Sequence, residues 1–127
     1  MGRVALVAVL LTALAVPAVA SAAAGPPPGK YSTKIAAPPP LKGTWTLTFA
    51  RNGTYTIAQA GRVVVRGHDF SVGSQIKFSK ETGPKACTAD GYYNFKRTGK
   101  TLTFHSLSDK GCAGRALVLG HRFTFAG

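Results

Sequence analysis

The chain has 127 residues and sets 16 Lys and Arg against 4 Asp and Glu, a formal charge of +12. That length fits one domain, and so few carboxylates argue against chemistry that needs paired acids. With 2 cysteines and 3 histidines, and neither a Cys-x-x-Cys nor a His-x-x-x-His spacing, no zinc or redox centre is recognisable.

Residues 1–22 begin with Arg3, continue through the apolar run Val4 to Leu11, and end in the small residues Ala18-Val19-Ala20 and Ala20-Ser21-Ala22. This is the pattern of a secretory signal peptide, and Pro17 interrupts it short of the roughly 18 to 20 apolar residues that a membrane anchor needs. The expectation is a secreted or extracytoplasmic protein, soluble after cleavage. Residues 23–40 hold Pro26-Pro27-Pro28 and Pro38-Pro39-Pro40 around Gly29 to Ile35, which predicts a semi-rigid proline-rich linker. A motif for a proline-binding groove is the other reading, but export separates it from the intracellular domains that read such motifs. Cleavage removes Arg3 and leaves 15 cations against Asp69, Glu81, Asp90 and Asp109, a formal +11.

The folded domain is expected over residues 41–127. Trp45, Leu47 and Phe49 alternate with Thr44, Thr46 and Thr48, and Asn52-Gly53 then predicts a tight hairpin. Thr54 to Gln59 follows with Tyr55 and Ile57 on one face. Arg62 to Arg66 has an ambiguous phase, and Gly67 is a candidate bulge before Phe70 and Val72. Gln75 to Ser79 sets Ile76 and Phe78 together. After a loop carrying Cys87, Gly91 to Arg97 alternates Tyr93 and Phe95 against Tyr92 and Asn94. Thr98-Gly99 turns into Lys100 to Ser106, with Leu102 and Phe104 inward, and a second loop carries Cys112. The last segment gives one parity to Arg115, Leu117, Leu119, His121, Phe123 and Phe125, read as one or two strands with these residues facing inward. No stretch of the domain has a period near 3.6, so no long helix is expected. About eight short strands joined by tight turns predict an all-β fold, a small up-and-down antiparallel β-barrel, with a β-sandwich as the alternative.

An even cysteine count in an exported chain, with both cysteines in loops, predicts a Cys87–Cys112 disulfide. The 26-residue loop it closes is worth about 3.5 kcal/mol in the chain-entropy picture.

Gly43-Thr44-Trp45 on the opening strand, the successive hairpins, Gly83-Pro84 with Cys87, Gly91-x-Tyr93-x-Phe95, Gly99-x-Thr101-Leu102 and Cys112-x-x-Arg115 resemble small secreted lipocalin-like domains of bacteria. The resemblance covers most of residues 41–127 and extends to the calycin relatives of the lipocalins; the Thr-Asp-Tyr motif of the larger lipocalins is missing. It implies structural roles for Gly43, Trp45 and Arg115, with the Arg115 guanidinium packed over Trp45 at the closed end of the barrel.

No arrangement of residues proposes an enzyme. The four acids share no strand face, Gly-x-Ser-x-Gly is absent, and Glu81 and Asp109 read as salt-bridge partners or loop residues. No metal and no cofactor is expected. Tyr92 beside Lys96 and Arg97 is the only base-stacking candidate, and export makes nucleic acid an unsuitable physiological partner. Two binding functions remain. One is a non-enzymatic monomeric carrier of a small apolar ligand, in a cavity bounded by Tyr55, Phe78, Tyr93, Phe95, Phe104 and His121. The alternative is a cationic interaction protein that docks an anionic cell-envelope polymer or surface.

Overall fold

The computed structural model describes residues 25–127, so the expected signal peptide (1–22) and the first two residues of the expected linker lie outside the described residues. Eight strands form one closed antiparallel barrel in chain order: β1 (Gly29–Ile35), β2 (Gly43–Phe49), β3 (Thr54–Gln59), β4 (Arg62–Val72), β5 (Gln75–Thr82), β6 (Gly91–Thr98), β7 (Thr101–Ser108) and β8 (Phe123–Phe125). A helix, α1 (Ala113–Leu119), precedes β8. Closure pairs β1 with β8 through Tyr31 and Phe125 and leaves no open sheet edge.

Two expectations for the ends of the domain are corrected. Residues 29–35 are not linker: they form β1, paired with all of β2 from Gly29 opposite Phe49 to Ile35 opposite Gly43. Proline lacks the N–H that a ladder requires, and both triplets stay outside the strand, so the prolines bound β1 without preventing it. Within β1, Tyr31 and Ile35 share a parity and are both buried.

At the other terminus, residues 113–119 are helical where a strand was expected. Arg115, Val118 and Leu119 are buried, at the i, i+3, i+4 spacing of one helix face, while Leu117 is 57% exposed. Strand parity groups Leu117 and His121 with Arg115; the helical turn moves Leu117 outward, and His121 is exposed just after the helix. The Gly120 N–H closes the helix on the Ala116 carbonyl.

The interior is built from alternate residues of every strand. Trp45, Leu47 and Phe49 of β2, Tyr55 and Ile57 of β3, Ile76 and Phe78 of β5, Tyr93 of β6 and Leu102 of β7 are all buried. The bulge expected in β4 at Gly67 is corrected: the β4–β5 register does shift there, but Arg66 faces Thr82 and His68 faces Ser79, so the extra residue lies in β5, where Lys80 and Glu81 oppose Gly67, while the extra residue of β4 is Val64, against β3. Gly67 faces inward there, and a Cβ on it would lie 2.6 Å from the Tyr55 hydroxyl, so the glycine makes room for that ring. One end of the barrel, under α1, holds Trp45 and the disulfide loops. The other end lies beside Pro26–Pro28.

Candidate functional site

The residues expected to line a ligand cavity are mostly brought together, but as packing. Phe78 sits among Tyr55, Tyr93, Phe104 and Phe49, with ring centroids 5.0, 5.6, 5.9 and 6.4 Å away. Most of these pairs are edge-to-face, the arrangement that the aromatic quadrupole favours. Phe104 continues the chain to Phe123 at 6.1 Å. Phe95 is half-buried opposite Phe104 on the β6–β7 ladder, and His121 stands apart, exposed. The apolar void at the α1 end, lined by Leu41, Trp45, Ile57, Val65 and Val118 among others, amounts to about 80 Å³. Ligand pockets run to about 300 to 1,000 Å³.

Beneath α1 lies a buried polar network centred on Arg115. Its Nε donates to Asp109 Oδ2 at 2.9 Å, and Nη2 donates to Asp109 Oδ1 at 2.6 Å and to the Ala89 carbonyl at 2.8 Å. Nη1 lies 3.1 Å from Glu81 Oε2. The Tyr55 hydroxyl donates to Glu81 and the Tyr93 hydroxyl to Asp109, while the Cys87 N–H donates to Glu81 Oε1 at 2.9 Å. The expected ion-pair role of Glu81 and Asp109 therefore holds. A Cβ at Gly91 would come within 2.7 Å of Arg115 Nη2, so the strand must open with glycine for the guanidinium to fit.

The expected stacking of Arg115 on Trp45 is corrected. Both line the same small void at the α1 end, but the cation over the Trp45 ring is Lys85, with Nζ 5.2 Å from the centroid. Trp45 Nε1 donates to the Leu41 carbonyl at 2.7 Å. A helix rather than a strand carries Arg115, and it aims the guanidinium at two carboxylates; bidentate charge-assisted bonds are stronger than an aromatic face. Gly43, at the start of β2, has φ +126°, and a Cβ there would meet nothing within 4 Å, so the glycine serves backbone conformation rather than packing.

The electrostatics match this geometry. Burial pushes the Tyr55 and Tyr93 hydroxyls far above their usual range, and the neighbouring Glu81 and Asp109 carboxylates push them further. Burial alone would lower Arg115; its hydrogen bond to Asp109 and the charge of Glu81 outweigh this and raise it. The Cys87–Cys112 disulfide, with Cα atoms 5.8 Å apart, joins the loop that donates to Glu81 to the residue that precedes α1. The network is a locked structural cap, with each carboxylate already committed to arginine and tyrosine.

At the opposite end Arg97 donates from Nη1 to the Tyr31 hydroxyl at 2.6 Å, and its guanidinium lies 5.2 Å from the Tyr31 ring centroid and 4.9 Å from that of Phe125. Tyr31 in turn donates to the Pro27 carbonyl at 2.7 Å, tying down the chain before β1. Sequence reasoning missed this pair. Arg97 shares the parity of Tyr93 and Phe95, which was the available signal, but its partner Tyr31 lay in a segment read as linker.

These commitments leave the outer surface strongly one-signed. Of the 15 Lys and Arg among the described residues, Arg115 alone is buried in ion pairs. Of the four carboxylates, Glu81 and Asp109 are spent on Arg115, and Asp69 is half-buried, its carboxyl raised by burial. Asp90 is the one exposed acid among the described residues. Comparison of the chain with protein-family models, with curated proteins and with solved structures finds no match. What the fold and its sites define is a closed eight-stranded antiparallel barrel with an aromatic interior, one disulfide and a cationic exterior.

Proposed function

We propose that the protein is an exported, non-enzymatic binding module of the lipocalin-like, calycin-type class, acting through its cationic exterior on an anionic component of the cell envelope. The observation that carries this reading is the separation of charge: 14 of the 15 described cations are not engaged with Arg115's carboxylates, and a single exposed acid stands against them. Such an imbalance raises the local concentration of anionic partners and speeds their encounter. Export is supported by the pattern of residues 1–22 and agrees with the disulfide, a bond that persists in oxidising compartments. The class is supported by the Gly43-x-Trp45 opening and the barrel. The carrier function that such a resemblance implies has less support, because the rings of Tyr55, Phe78, Tyr93 and Phe104 pack on one another and the apolar void at the α1 end amounts to about 80 Å³.

The two functions respond oppositely to salt. Binding of a soluble anionic polymer through exposed charges should weaken steeply as salt rises, since screening shortens to about 3 Å at molar salt. Uptake of a fluorescent fatty-acid analogue by an apolar interior should barely change. We expect salt-sensitive polymer binding that Arg62, Arg66 and Lys96 reversed together to Glu abolishes, and no salt-resistant uptake. Salt-resistant uptake lost in Phe104→Ala, without polymer binding, would instead establish the carrier.

A further inference from the structure

The β5 bulge opposite Gly67 builds a feature on the outer wall that the general charge excess does not explain. Thr54, Tyr55, Thr56, Arg66, Gly67, His68, Lys80 and Thr82 line an open concavity of about 330 Å³ across β3, β4 and β5. Cross-strand register sets Thr56 beside Arg66, Arg66 beside Thr82, and Thr54 beside His68, so the polar side chains form a cluster of neighbours rather than a scatter along the chain. Gly67 lies at the centre with its Cβ direction inward, onto the Tyr55 ring, so the floor of the pit is bare backbone.

Three properties single out this concavity. It contains no carboxylate: Glu81, next to Lys80 in sequence, is turned inward onto Arg115. Its donors are free among the described residues: the side chains of Arg66, His68, Lys80, Thr56 and Thr82 have no hydrogen-bond or ion-pair partner there, whereas the Thr54 hydroxyl donates to Asn52 Oδ1 at 2.6 Å. And Lys80 is held at φ +51°, a left-handed conformation that residues with a Cβ seldom adopt. The strained residue and the shifted register coincide, and together they turn a flat strand pair into a pit.

We infer that this pit is a phosphate-binding site, in which Arg66 and Lys80 supply charge and Thr56, Thr82 and His68 supply further donors to a single phosphate group of a phosphodiester polymer. A guanidinium fork, an ammonium and hydroxyls around a concave floor match a tetrahedral oxyanion with several acceptor oxygens. The inference rests on the proposed cationic docking function and gives it a location and a ligand chemistry. A soluble phosphodiester chain fits better than a bilayer, since a pit lined by threonines admits one protruding phosphate.

The test uses residues 23–127 and three probes: inorganic phosphate, a soluble poly(glycerol phosphate), and vesicles containing anionic phospholipid. Amide chemical shifts are followed by NMR. Both phosphate and the polymer should shift Thr56, Arg66, His68, Lys80 and Thr82 first, and Arg66→Gln with Lys80→Gln should remove the phosphate shifts and weaken the polymer about tenfold or more. A charge-matched control, Lys96→Gln with Lys100→Gln, should keep the phosphate shifts. Polymer binding that shifts other surfaces and survives Arg66→Gln/Lys80→Gln would overturn the site while leaving the cationic docking function standing. Absence of any polymer binding by the unmodified protein would overturn both. Binding to vesicles alone, with neither phosphate nor the polymer shifting the pit, would assign the surface to a membrane and overturn the phosphodiester assignment.

Discussion

Arg115 shows how much a single residue can hold when its partners are buried with it. Its guanidinium joins α1 to Asp109 and Glu81, and through them to Tyr93, Tyr55 and the Cys87 backbone. Removing one member of a buried ion pair leaves an uncompensated charge and costs about 3 to 5 kcal/mol. Arg115→Ala should therefore lower the free energy of chemical denaturation by about that amount, in contrast to about 0.5 kcal/mol for a surface cation such as Lys100. Adding Glu81→Gln and Asp109→Asn to Arg115→Ala should recover part of the loss, because the stranded charges go with their partner. Arg115 does face inward, but the strand parity with Leu117 and Leu119 that predicts this belongs to a segment that is helical, and Leu117 of the same parity is exposed. Which carboxylates it meets was not legible, because Glu81 stands 34 residues away at a strand end and Asp109 6 residues away in a loop, where no periodicity reports direction.

At the scale of elements, the central hairpins were the legible part. In β2, β3 and β5 to β7 the alternation of apolar and polar residues matches buried and exposed faces, and turns carry glycine at positive φ, as at Gly53 and Gly99; in β4 it does not, since Phe70 and Val72 are exposed while Ser71 between them is buried. Both ends of the domain were misread for one reason. β1 has only two apolar anchors, Tyr31 and Ile35, inside a proline-rich frame, and Ala113–Leu119 is too short for a helical period to outweigh a strand reading. The count of eight strands survived because a strand gained at the N-terminus offset one lost near the C-terminus. A structural consequence separates the two domain boundaries. Starting the protein at Leu41 removes β1, strips Tyr31 from Arg97 and Phe125, and leaves β2 and β8 as unpaired edges. That truncation should lose its cooperative thermal transition, followed by near-ultraviolet circular dichroism, whereas a protein starting at Gly25 should keep it. A truncated protein that melts cooperatively would restore residues 29–35 to the linker.

For the molecule as a whole, the buried tyrosines set an alkaline limit on stability. Tyr31, Tyr55 and Tyr93 are each raised above the ordinary value of 10.0, first by burial, and Tyr55 and Tyr93 also by the carboxylates they face. In the unfolded chain these hydroxyls release protons near 10.0, while the folded barrel still holds them. The native state then binds more protons than the unfolded state, so stability must fall as pH rises above 10.0. Each such tyrosine can remove up to about 1.4 kcal/mol per pH unit across that window. Repulsion among the exposed cations adds a surface contribution of its own. Molar salt shortens screening to about 3 Å and suppresses that surface contribution, but leaves the buried hydroxyls unscreened. Urea denaturation at molar salt should therefore show stability declining steeply above pH 10.0, and the decline should be shallower in Tyr55→Phe/Tyr93→Phe, which has no hydroxyls there to ionise on unfolding. An identical decline in the two proteins would mean that the hydroxyls facing Glu81 and Asp109 titrate as freely in the barrel as in the unfolded chain, against the burial that the closed barrel imposes on them.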